Sequence, residues 1–196
     1  MTSYSSSTSL SRAAVGAVAG WIRVDGGLCR FGDAERPVRV RTLEWTRTVL
    51  TPAQLACGDD ERPLTGLSQP SAAVLARALG GRLPRSVEWE WAAAGPARRR
   101  YPWGEAPPTA ATANLRGGCG EAAPVGAYPA GATPKGLLEM AGNVWEWTSS
   151  PVLGGGFVLR GGSFNSPALY ARTTFLNAAP AELESPGIGF RVVREP

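Results

Sequence analysis

No histidine occurs among the 196 residues. The commonest general base, the commonest metal ligand and the usual pH switch are missing with it. Iron or zinc chemistry that relies on imidazole is thereby excluded, and neither metal is expected. Cysteine is scarce. Cys29, Cys57 and Cys119 are odd in number, widely spaced and without a C-x-x-C pair, the pattern of small buried or loop thiols and not of a zinc site or disulfide framework. Lys135 is the only lysine among 20 basic residues. Arginine in its place is a mark of a GC-rich bacterial genome or, more weakly, of a thermophile. Apart from Arg98-Arg99-Arg100 the arginines are scattered, as on solvated loops, so no nucleic-acid partner is expected. No run reaches the length of a membrane span. Residues 1–20 are rich in serine and threonine before Ala13–Ala19, too short and too weakly apolar for a convincing signal-peptide core. A flexible or loosely docked leader is expected there, and the compartment stays open.

What the chain does have is 25 glycines, 17 prolines and seven tryptophans, with a net charge of +4. Such a composition points to one loop-rich domain over 21–196, with a core built on large rings. Trp21–Val24 reads as a first strand, and Val38, Val40 and Thr42 alternate with arginines at the period of a half-buried strand. Thr51-Pro52 opens a short helix that Gly58 closes. A second helix fits Pro70–Leu79, with Val74, Leu75, Ala78 and Leu79 on one face, and a third fits Val87–Ala94 behind an N-cap at Ser86. From Gly95 to Pro134 the chain is irregular; strands return at Val144–Thr148, Phe157–Arg160 and Gly189–Val193. Short helices on a small, mostly antiparallel sheet make an α+β arrangement. Glu88 and Glu90, two apart on a helix, and Asp59-Asp60-Glu61 read as solvated acids.

Several short blocks recur in a fixed order: Gly81-Arg82-Leu83-Pro84, Glu88-Trp89-Glu90-Trp91, Tyr101-Pro102-Trp103-Gly104, Gly142-Asn143-Val144-Trp145-Glu146-Trp147, Arg160-Gly161-Gly162-Ser163-Phe164 and Gly189-Phe190-Arg191. In these the chain, from about Trp21 to Val193, resembles the formylglycine-generating enzyme family, a branch of the C-type lectin fold. The resemblance implies small, mostly antiparallel sheets, two or three short helices and much irregular loop.

It also implies sites. In the family, positions matching Glu139, Gly142, Val144 and Glu146 hold a structural calcium ion through two side chains and two carbonyls, a fitting set for a hard cation. The family has a different acid at the position of Glu139. The alternative is an amphipathic strand whose Trp145 and Trp147 face the core while Glu146 faces water. A second family site is echoed by Asn114-Leu115, but its later ligands have no match after Gly117–Gly120. The two copper-binding cysteines of the enzyme fall on Ser166 and Ala171, neither of which supplies a thiolate. Copper, and catalysis with it, is not expected.

Between the two matching blocks, 165–186 shows neither helix nor strand period. It mixes tyrosine, phenylalanine and leucine with small polar residues, as binding loops do. The pattern is similar to the variable proteins of diversity-generating retroelements, which rewrite this segment on the same scaffold. The ligand-contacting residues this implies are Asn165, Ser166, Pro167, Leu169, Tyr170, Phe175, Leu176, Asn177, Leu183, Ser185 and Pro186, with Glu182 and Glu184 as fixed framework. The expected protein is a non-catalytic monomer that binds a protein or other macromolecule. Rival readings are an oxidase with a degenerate active site, a regulatory or structural module, and an ordinary irregular loop with part of its apolar content buried.

Overall fold

The computed structural model describes residues 20–196; the leader expected over 1–20 lies, Gly20 apart, outside the described residues. The elements run in the order β1 (Trp21–Val24), β2 (Gly27–Phe31), β3 (Arg36–Val40), β4 (Leu43–Thr46), α1 (Gln69–Ala78), α2 (Ser86–Ala94), β5 (Trp145–Val152), β6 (Gly156–Arg160), β7 (Leu176–Pro180), β8 (Ile188–Gly189) and β9 (Val193–Arg194). They form three small sheets, ordered β1-β4-β9, β2-β3 and β7-β6-β5-β8. All pairings are antiparallel except β5 with β8. The architecture is α+β with much irregular chain. Among the described residues no helix is long and apolar enough to cross a membrane.

Tryptophan organises the core, as its abundance led us to expect. Trp45, Trp89 and Trp91 pack with Leu43, Leu137 and Met140. Trp147, Phe190 and Val192 pack with Leu50, Leu83 and Leu159. Gly189-Phe190-Arg191 is where the chain leaves one sheet for another. Just before it, Ile188 and Gly189 pair with Trp145 and Glu146; just after it, Val193 and Arg194 pair with Trp45 and Glu44.

Four local expectations need correction. The helix over 51–58 is a single 3-10 turn, Ala53–Leu55, which Ala56 ends in the left-handed region. The α1 helix, capped by the Ser68 hydroxyl, buries Ala72 and Ala76, while Val74 is exposed. Close approach to the β-layer favours the alanine stripe. The α2 helix begins at Ser86, with Arg85 as N-cap, and is buried all round because strands β2, β3, β5 and β6 surround it. Glu88 and Glu90 are therefore buried, not solvated. Finally, part of 165–186 is regular: Ala168–Ala171 form a 3-10 turn and β7 pairs along the edge of β6.

Candidate functional site: a framed segment on the sheet edge

The arginines of both motif blocks, Arg160 and Arg191, prove to be buried clamps. Arg160, at the end of β6, is fully buried. Its Nη2 donates to Glu90 Oε2 at 2.6 Å and to the Thr173 carbonyl at 2.7 Å, and its Nη1 donates to the Thr174 carbonyl at 3.2 Å. The guanidinium lies 5.1 Å from the Trp89 ring centroid. Burial lowers its pKa, against which the Glu90 charge works. One side chain thus joins α2 to the middle of the segment. Thr173 is fixed from the other side as well, its N–H donating to the Arg100 carbonyl at 2.9 Å and its hydroxyl to the Arg99 carbonyl at 2.6 Å.

Arg191 is the second clamp. Its Nε and Nη2 donate to the two oxygens of Glu146, both at 2.7 Å, with neither side chain exposed to solvent. Its Nη2 also reaches the Leu138 carbonyl, and its Nη1 the carbonyls of Thr46 and Arg47. Glu146 accepts a further bond from Trp89 Nε1 at 2.7 Å. Glycine is required beside these clamps at Gly162. There φ is +78°, and a Cβ would stand 3.2 Å from the Tyr170 carbonyl oxygen.

Between the clamps lies the exposed surface. Leu169, Leu176 and Leu183 are 48%, 47% and 41% exposed, and Asn165, Asn177 and Pro186 are exposed too. Pro167, Tyr170, Phe175 and Ser185 are half-buried. Tyr170 stacks on Phe175, with centroids 4.3 Å apart and planes 22° apart. Both tilt against Trp145, at 5.9 and 6.3 Å. Trp145 is therefore the floor of the surface, whereas Trp147 is core, its Nε1 donating to the Leu67 carbonyl at 2.9 Å.

Ser166 does not belong with these contact residues. It is buried, and its hydroxyl accepts the Ser163 N–H at 2.9 Å while its carbonyl accepts the Arg116 N–H at 3.0 Å. A small hydroxyl there closes the turn that leads out of the glycine pair. Thr173 and Ala171, which composition did not single out, are the buried anchors of the segment. Only the pattern of small residues among larger ones hinted at them.

The sulfatase-modifying factor enzyme 1-like domain matches residues 33–196. The chain belongs to that family. It is 51% identical over 96 residues to hercynine oxygenase of Mycolicibacterium thermoresistibile, which covers 47% of this chain and 22% of that protein. It is 40% identical over 99 residues to the formylglycine-generating enzyme of Mycobacterium tuberculosis, covering 45% of this chain and 33% of that protein. The chain thus spans a third or less of these relatives. In fold it is similar to Treponema denticola variable protein 1, with a TM-score of 0.74 at 18% identity over 90% of this chain and 95% of that one. The fold is the C-type lectin fold in the form this family takes.

Ser166 and Ala171, which the resemblance matches to the copper-binding cysteines, are both buried, Ala171 among Tyr101, Ala113, Leu115 and Ala141. Cys29 is buried in the other half of the core, where desolvation first and the Glu90 charge second push its thiol up to about 11. Cys57 and Cys119 are exposed and bond only locally, to Leu55 and to Asn114 and Glu121.

Of the expected calcium ligands Glu139, Gly142, Val144 and Glu146, all are buried, and the two carboxylates have different surroundings. Glu146 faces neither water nor an open site; its two oxygens already carry three donors, and Arg191 neutralises its charge. A divalent ion there would sit against a buried guanidinium. Glu139 has one oxygen on the N–H groups of Gly126 and Tyr128, and its buried Oε2 has no partner. Burial pushes its carboxyl above the usual range, opposed by those two N–H groups. Among the described residues no cluster of three or more acids or cysteines is arranged to hold a metal. With Glu146 engaged by Arg191 and Trp89, Glu139 Oε2 is the one carboxylate oxygen of this set left without a partner among the described residues.

Proposed function

We propose that this protein is a non-catalytic binder that presents 165–186 to a macromolecular partner, a protein in the first instance. The observation that carries the reading is the Tyr170–Phe175 stack on Trp145, with exposed Leu169 and Leu176 next to it in the chain and Leu183 exposed in the same segment. Contiguous exposed apolar surface of this kind marks contact sites, and rigid aromatic anchors give contact area at small entropic cost. The clamps bear on the same point. Arg160 and Arg191 fix the segment's middle and its exit, so the exposed positions between them can change without disturbing the frame. The finer reading is a variable protein of a diversity-generating retroelement. Supporting it are the framed segment and the fold shared with a variable protein.

The test is sequencing of the gene's 3′ end across a population of source cells. Substitutions confined to codons 165–186, at adenines copied from a nearby repeat, are expected. A uniform sequence with no such repeat overturns the variable-protein reading.

The identity to hercynine oxygenase favours a second reading. In it the chain is the lectin-type portion of an oxygen-using enzyme whose metal is held by residues outside this sequence. Oxygen uptake on adding iron or copper with a thiol substrate supports that reading; its absence, with partner binding retained, supports the first.

A further inference from the structure

The arginines that look scattered along the sequence are gathered by the fold. Arg39, Arg41, Arg82 and Arg85 line one cleft of about 510 Å³, together with Glu88 and Ser149. None of these residues belongs to 165–186. We infer that this cleft binds a small phosphorylated anion, a phosphate monoester or a diphosphate.

The cleft is pre-organised by Glu88. This carboxylate is buried and accepts from Arg82 Nη1 and Nη2 at 2.8 and 3.0 Å, from Arg85 Nε at 2.8 Å and from the Arg85 N–H at 2.7 Å. Burial alone raises its pKa, but the Arg82 and Arg85 bonds outweigh that and hold it below the usual carboxylate range. Glu88 is thus saturated and stays charged. It holds two guanidinium groups in fixed orientation while both terminal nitrogens of Arg85 have no hydrogen-bond partner among the described residues. Arg39 and Arg41 are exposed and make no ion pair among the described residues. The undescribed N-terminal residues contain no acid that could supply one.

The charge balance selects the ligand. Four guanidinium groups face two carboxylates, Glu88 and the more distant Glu195, which lies 3.9 Å from Arg82. Two positive charges remain, half of the chain's net +4. A phosphate monoester dianion matches that count and a diphosphate meets and exceeds it, whereas a sulfate monoester carries one charge. The guanidinium fork suits tetrahedral oxyanions through paired N–H donors, and the Ser149 hydroxyl adds a neutral donor at the wall. The lining holds no aromatic ring on which a base could stack, which sets it apart from a single-strand groove.

The experiment titrates inorganic pyrophosphate into the protein, with sodium chloride at matched ionic strength as control, reading the melting temperature and calorimetric Kd. Pyrophosphate is expected to raise Tm by mass action where chloride does not. The pair of substitutions Arg39→Gln and Arg41→Gln is expected to weaken binding about tenfold or more, with the ligand-free Tm unchanged because neither side chain holds a structural partner. Tyr170→Ala is expected to leave pyrophosphate binding as it was. Equal effects of pyrophosphate and chloride overturn the proposal. So does full affinity in the arginine double variant, or a loss caused by Tyr170→Ala instead. A sugar sulfate that binds as tightly as the matching sugar phosphate overturns the phosphate assignment.

Discussion

The frame and the segment it holds follow opposite rules of placement. In the frame, charge is buried and paired: Arg160 with Glu90 and Arg191 with Glu146, all four essentially without exposed surface. In 165–186, leucine and ring carbon stand in solvent. The frame spends its specificity on geometry, since a buried guanidinium tolerates only one arrangement of acceptors. The segment has Ser166, Ala171, Thr173 and Ala179 as its fully buried points, and the rest is half-buried or exposed. The difference separates what holds the fold from what is open to a partner.

The largest effect tests the frame. Arg191→Ala takes from Glu146 two of its three donors and its charge partner, and from three backbone carbonyls one donor each, and is expected to cost about 3–5 kcal/mol. Trp147→Ala belongs in the same range through its cavity, about 3–5 kcal/mol. Urea midpoints read both. If either variant unfolds with the midpoint of the parent, the frame is not what holds the fold.

The border between frame and segment comes next. Tyr170 is half-buried in a ring stack, so Tyr170→Ser is expected to cost on the order of 1–2 kcal/mol. It lies between the two classes, because composition alone did not show that the exposed rings also cover Trp145. A cost equal to that of Trp147→Ala makes the stack core and removes it from the binding surface.

A smaller effect comes from Glu139. Its carboxyl titrates above the usual range in the folded state, so the native protein binds its proton more tightly than the unfolded chain. Stability at this group therefore rises as pH falls through the raised value and is lost again as pH climbs above it. Glu139→Gln is expected to gain up to about 1 kcal/mol near pH 7, with the gain shrinking on acidification. Glu88 works the other way: its stabilisation is present above the unfolded value and is lost as pH falls through its lowered one. A chelator is expected to leave Tm unchanged. A fall in Tm on chelation, or a loss of stability in Glu139→Gln at pH 7, restores a metal role for that carboxylate.

The smallest effect tests the segment. Leu169→Ser, Leu176→Ser and Leu183→Ser are each expected to stay within about 0.5 kcal/mol of the parent while weakening partner binding. A larger stability cost blurs the comparison from the other side.

Much of the frame was legible in the sequence because it is written in local terms. The stretches read as helices over Pro70–Leu79 and Val87–Ala94 lie within a residue of α1 and α2, and the motif blocks mark strands β5 and β6. Burial of charge was not legible. Glu90 and Glu146 look like solvent-facing partners of the tryptophans beside them, and the arginines that bury them lie 70 and 45 residues away. β7 was hidden for another reason. Leu-Asn-Ala-Ala-Pro has little strand propensity, and only the edge of β6 makes it extended. The exposed surface at 165–186 was read correctly in outline, but Ser166 was misplaced because a turn-closing hydroxyl and a contact hydroxyl look alike in one dimension.

The switch of sheets at Gly189-Phe190-Arg191 has a consequence for synthesis. β9 pairs with β4, and the Arg194 guanidinium reaches Glu44 across 150 residues of chain. Contacts of such sequence separation are slow to close, and this one forms only after 165–186 has been made. Everything that completes the frame is translated after the segment it holds. A stop codon or frameshift arising anywhere in 165–186 therefore removes Arg191 and β9 together, and the product cannot close.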